Sequence, residues 1–128
     1  MSDLLLDTHT LLWWVADDQS LSSAARNAIS NAENVVASDV SLWELTVKAS
    51  LGKIRVDPSV ADWFDQHTAQ SRFRALSIAR RHLAELAALP MEHRDPFDRL
   101  LVAQARVENL TLVSRDSMFA KYDVRTLW

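Results

Sequence analysis

The sequence predicts an α/β protein: a parallel sheet covered by helices on both faces. Two observations carry this. Short apolar runs such as Leu4-Leu5-Leu6 and Val35-Val36-Ala37 read as buried strands. Between them lie stretches whose apolar residues recur every three or four positions, as in Val40, Trp43, Val47 and Leu51. Alternation of the two patterns fits parallel strands, which need crossover helices and right-handed connections. With 128 residues, 48% of them hydrophobic, one continuous core can be filled, so residues 1–128 are expected to form a single domain.

The elements follow in order. Leu4 to Asp7 is the first strand, and Thr8 reads as an N-cap for a helix through Leu11, Leu12 and Trp14. A second helix starts near Ser22 or Ser23 and presents Ala25, Ala28 and Ile29 on one face, before the strand at Val35–Ala37. The helix beginning at Val40 runs to Leu51, where Gly52 stands in the C-cap region. Pro58 precedes a helical stretch with Val60, Trp63, Phe64 and His67; Phe73, Leu76 and Ile78 then lead into a helix ending before Pro90. Asp95 and Pro96 open the next helix as N-cap and first residue, with Leu100, Leu101, Ala103, Val107 and Leu110 facing inward. Thr111–Val113 is a third strand and Val124–Leu127 a last one.

Composition removes several classes of function. The absence of cysteine excludes disulfides and thiolate zinc sites and suits a cytoplasmic setting. No apolar stretch approaches the ~20 residues that span a bilayer, and the N-terminal run is cut by Asp7, so neither a membrane segment nor a secretory signal is expected. A single glycine, Gly52, leaves no phosphate-cradling loop for ATP or NAD. The net charge of −3 argues against nucleic-acid binding through a broad basic surface, yet acids gathered for metal would themselves make the balance acidic.

Four acids have a positional claim to chemistry: Asp7, Glu44, Asp98 and Asp116. Asp7 ends an apolar strand and Asp116 lies just past Val113, and in parallel sheets ligands bind beyond the carboxyl ends of strands. Carboxylates from separate elements suit hard divalent cations, which take oxygen ligands and water. Each acid also has a plainer reading. Asp7 can cap the first helix, Glu44 can be a solvated helix residue, and Asp116 can cap the turn Ser117–Ala120. His9, His67, His82 and His93 lack metal-motif spacing and read as surface or hydrogen-bonded core residues. The five tryptophans read as core and interface anchors rather than base-stacking platforms.

Taken together, four blocks resemble one known family. They are Leu4-Leu5-Leu6-Asp7-Thr8-His9; Ser38 to Glu44 with Lys48 and Gly52-Lys53-Ile54; His93-Arg94-Asp95-Pro96-Phe97-Asp98-Arg99; and Leu110 to Asp116 followed by Phe119, Tyr122 and Val124. In this order, over nearly the whole chain, they resemble PIN-domain proteins of the VapC-like toxin group. The resemblance implies a three-layer, Rossmann-like PIN fold with a four- or five-stranded parallel sheet. It implies an acidic pocket for one or two Mg2+ or Mn2+ ions at Asp7, Glu44, Asp98 and Asp116, supported by the hydroxyls of Thr8 and Ser114. Asp95 matches an acid of the Asp-Pro-Phe-Asp motif but is sufficiently explained as a cap, and stays outside this set.

The activity so implied is metal-dependent endonucleolytic cleavage of single-stranded or loop RNA, with metal-activated water attacking the phosphodiester in line. Arg94, Arg99 and Arg115 are candidate backbone contacts. The partners implied are an RNA substrate, a VapB-like antitoxin whose arginine-bearing tail reaches the acidic pocket, and a second copy in a homodimer. An apolar groove near Trp43, Val47, Leu51, Trp63 and Phe64 would take the antitoxin helix. Two competing readings are an antitoxin-binding domain with little ribonuclease activity and a metal-dependent phosphatase.

Overall fold

The computed structural model describes residues 3–92 and 95–128. Among them run β1 (Leu4–Leu6), α1 (Thr8–Ala16), α2 (Ser23–Asn31), β2 (Val35–Ser38), α3 (Asp39–Ser50) and α4 (Val60–Gln70). They continue with β3 (Arg74–Leu76), α5 (Arg80–Ala88), α6 (Pro96–Glu108), β4 (Thr111–Val113), a 3-10 turn (Ser117–Lys121) and β5 (Thr126–Leu127). The strands form one five-stranded sheet in the order β3-β2-β1-β4-β5 with every pairing parallel. This is the α/β fold expected, at the upper of the two strand counts.

The sheet is buried on both sides because successive side chains of each strand point to opposite faces. Leu5, Val36 and Leu112 join Leu100, Leu101 and Ala105 of α6 and Phe119 of the 3-10 turn on one face. Leu4, Leu6, Val35 and Val113 join Leu11, Ala25, Ile29 and Phe64 on the other. Phe64 is therefore core, only 2% exposed, and does not line an outer groove; Trp63 packs half-buried beside it. Trp43 and Leu51 do remain exposed.

Several boundaries differ from the sequence expectation. Asp7, not Thr8, caps α1: its carboxylate accepts the Thr10 N–H at 2.8 Å, so Thr8 becomes the first helical residue and its hydroxyl is released for a tertiary contact. β3 is a strand where the sequence suggested only a lead-in to a helix. It is an edge strand with Arg74 and Ala75 exposed, so it lacks the apolar run that marks β1, β2 and β4. The last strand shortens to two residues. After α3, Gly52 takes the left-handed conformation (φ 72°) that turns the chain, as expected from its place.

A buried polar network ties β2 to α5 and α6. Ser38 Oγ caps α3 through the Val40 N–H at 2.9 Å and donates to Gln104 Oε1 at 2.5 Å. The Gln104 amide nitrogen lies 3.4 Å from the Ser77 carbonyl and 3.3 Å from His82 Nδ1. Because His82 Nδ1 accepts the Ala79 N–H, its Nε2 carries the proton toward Glu108 Oε2, 3.0 Å away, which also receives Arg81 at 2.9 Å. Hydrogen bonds from Arg81 and then His82 hold the Glu108 carboxyl below its ordinary range. His82 is a hydrogen-bonded core histidine, one of the two roles expected for it.

Candidate functional site

The strand order places the topological switch between β1 and β4, because the chain leaves β1 toward β2 on one side and returns to pair β4 on the other. Asp7 follows β1, and Ser114 and Asp116 follow β4, so the three meet at the carboxyl ends of the central strands. Ser114 Oγ donates to Asp7 Oδ2 at 2.5 Å and accepts the Asp116 N–H at 3.0 Å. Asp116 in turn caps the 3-10 turn, accepting the Met118 N–H at 2.9 Å. The capping readings of Asp7 and Asp116 therefore hold alongside their place in the site: capping fixes the direction of both carboxylates.

Glu44 arrives from α3. It is 4% exposed, which rules out the solvated-helix reading. A carboxylate at that depth needs partners, and it has two. Thr8 Oγ1 donates to Oε1 at 2.7 Å, and Lys48, one helical turn on, pairs with Oε2 at 2.7 Å. The Ser41 hydroxyl sits 3.0 Å from Thr8 Oγ1 and completes the cluster. Both supporting hydroxyls expected from the sequence, Thr8 and Ser114, thus contact acids of the proposed set.

Asp98 comes from the first turn of α6. Asp95 caps that helix through the Phe97 and Asp98 N–H groups at 2.8 and 3.1 Å. One cavity of about 190 Å3 is lined by Asp7, Thr8, His9, Glu44, Lys48, Asp95, Phe97, Asp98 and Asp116. It brings together all four acids singled out in the sequence and adds Asp95, which sequence reasoning had set aside as a cap. Lys48 was also missed as a site residue, although its i,i+4 spacing from Glu44 was a legible signal.

The arginines divide. Arg99 is half-buried and reaches the Leu89 carbonyl at 3.3 Å, which argues against a substrate contact, while Arg115 is exposed beside Asp116. Arg94 and His93 lie outside the described residues.

The lining offers carboxylates and hydroxyls, a hard donor set suited to Mg2+ or Mn2+. Among the described residues, no three histidine or acidic side chains converge into a ready-made ligand cage. Magnesium is commonly held by one or two direct carboxylates with water completing its shell.

The PIN-domain family model matches residues 4–125. The chain belongs to the PIN-domain family. Ribonuclease VapC22 of Mycobacterium tuberculosis is 34% identical to this PIN domain over 117 residues, covering 91% of this chain and 88% of that protein. Among solved structures, the DNA-bound VapBC of Salmonella typhimurium matches with a TM-score of 0.72 and 16% identity, covering 99% of this chain and 98% of that one. FitAcB of Neisseria gonorrhoeae matches at 0.69 and 19% identity, covering 98% and 96%. At these identities the structures speak for the PIN fold alone. Among the described residues, no helix is long and apolar enough to cross a membrane.

Proposed function

We propose that this chain is a metal-dependent endoribonuclease, the toxin of a VapBC-like toxin–antitoxin pair. One observation carries the proposal: a single cavity at the β1/β4 switch point is lined by all four predicted acids, in a chain 34% identical to a protein named ribonuclease VapC22. Asp7, Asp98 and Asp116 are the main ligands, direct or through water, for Mg2+ or Mn2+. When bound, the ion supplies a more acidic water and neutralises charge developing on the phosphodiester. Ser114 holds Asp7, and Thr8 and Lys48 fix the direction of the Glu44 carboxylate, which ligates or orients the attacking water. Attack forms a bond from water oxygen to phosphorus, breaks the opposite P–O bond, and leaves one proton for the departing oxygen.

A VapB-like antitoxin belongs to the same reading. Exposed Trp43 packs edge-on against Phe97 at 4.6 Å, and Phe97 lines the acid cavity, so an apolar surface adjoins the acidic mouth. An antitoxin helix followed by a basic segment suits that sequence of surfaces. The homodimer and the cytoplasmic setting expected from the sequence complete the proposal; sedimentation of the purified chain tests the former.

The deciding experiment is cleavage of single-stranded RNA by the purified chain with and without magnesium, beside Asp7→Asn and with a chromogenic phosphate ester as control. Magnesium-dependent RNA cleavage lost in Asp7→Asn supports the proposal. Hydrolysis of the ester but not of RNA would replace it with a phosphatase.

A further inference from the structure

A second cavity, of about 410 Å3, adjoins the acid cavity and shares Asp7, His9 and Asp116 with it. The rest of its lining is of another kind: Trp13, Arg115 and Ser117. The His9 imidazole packs on the Trp13 indole with ring centres 5.7 Å apart and planes 37° apart, and Trp13 meets Trp128 at 5.8 Å. Trp13 and Trp128 are half-buried against the core, which anchors the row, while His9 at its outer end is exposed. His9 stands two residues after Asp7, in the turn that the Asp7 carboxylate caps, so the aromatic edge and that acid are set by one local structure. Arg115, also exposed, lines the same cavity.

We infer that this second cavity is a nucleotide subsite for single-stranded RNA. One base stacks on the His9–Trp13 edge, its phosphate meets Arg115, and the neighbouring phosphodiester is thereby presented to the acid cavity. The inference deepens the ribonuclease reading and rests on it. Its physical basis is a shortage: a net charge of −3 argues against holding RNA by a wide basic surface. Asp7 and Asp116 repel phosphate besides. Affinity must come from contacts that do not depend on bulk charge, and stacking on an aromatic plane accepts any base with its π-face free. A duplex, whose bases stack on each other, cannot make that contact. An arginine of a protein partner also stacks on indole, and the test separates that occupant from a nucleotide.

The test uses the full chain and one single-stranded RNA oligonucleotide in two arms: steady-state cleavage with magnesium, and tryptophan-fluorescence titration in EDTA, which reads binding without turnover. His9→Ala and Arg115→Ala are each expected to raise KM and the EDTA dissociation constant about tenfold, with the loss in KM rather than kcat. Because Trp13 also packs on the core, Trp13→Phe is compared with Trp13→Leu, each with a melting curve; the variant that keeps a ring should keep more affinity. RNA cleavage by the wild type with KM and binding unchanged in His9→Ala and Arg115→Ala overturns the subsite and leaves the ribonuclease standing. Binding that depends on His9 and Arg115 without cleavage supports the subsite and sinks the ribonuclease. A wild type that neither cuts nor binds RNA overturns both. Loss of affinity for an arginine decamer in His9→Ala, with RNA affinity unchanged, overturns the subsite in favour of a protein partner.

Discussion

Two polar clusters occupy this small protein, and they are built on opposite terms. Around Gln104, each buried group answers another: Ser38 with Gln104, Gln104 with His82, and Glu108 with both His82 and Arg81. At the carboxyl ends of β1 and β4, five carboxylates and one lysine line a single cavity. Hydrogen bonds there fix Asp7 and Glu44 in direction, and Glu44 pairs with Lys48. A cluster that only holds elements together has every reason to neutralise itself, because buried charge without a partner costs several kcal/mol. In the reading proposed above, a cavity that collects five acids from separate elements is the place for a cation. The contrast is one of composition, mixed polar partners around Gln104 and mostly acids at the strand ends, and burial does not show it, since both clusters contain nearly inaccessible residues.

The contrast can be broken at either end. The largest effect is expected from Asp7→Asn or Asp98→Asn: RNA turnover should fall about a hundredfold or more, with the fold intact by circular dichroism. Cleavage at the wild-type rate in either variant would end the assignment of the acid cavity. Gln104→Leu should do the reverse. It takes away the acceptor of the buried Ser38 hydroxyl and the amide beside His82 Nδ1, and should lower stability by about 2 kcal/mol in urea unfolding, and a variant as stable as the wild type would show that the network is not structural.

Glu108→Gln adds a pH signature. The native carboxyl is held below its ordinary value, so the stability it contributes is present above the unfolded value of about 4.3 and is lost as pH falls through the lower native value. The variant should be less stable than the wild type by about 1.5 kcal/mol at pH 7, with the gap closing below about pH 4; a gap independent of pH would assign the loss to packing. Asp95→Ala is expected to be mildest, about 1 kcal/mol from the lost cap of α6, with activity reduced much less than in Asp98→Asn. Loss of metal binding in a folded Asp95→Ala protein would move Asp95 from the helix cap into the ligand set.

Most of the architecture was legible because its signals are local. Three apolar leucines, the helix start near Ser22 or Ser23, the cap at Asp95, and Gly52 after α3 each act within a few residues. Edge strand β3 was not, since a strand exposed on one side and only three residues long carries no pattern that distinguishes it from a loop. The four acids were found by their order along the chain and by family resemblance, not by any property of each alone.

The sequence by itself determined the alternation of strands and helices, the positions of Asp7 and Asp116 just beyond strand ends, and membership of the PIN-domain family. Only the tertiary structure decided that Glu44 is buried rather than solvated, that Asp95 lines the same cavity as Asp98, and that His9 and Trp13 stand beside the acids. The physical reason is the range of the forces. Caps and periodicities are written within a turn or two of chain. The partners of a buried charge are residues such as Thr8 and Glu44, 36 positions apart, which meet only when the sheet orders its strands.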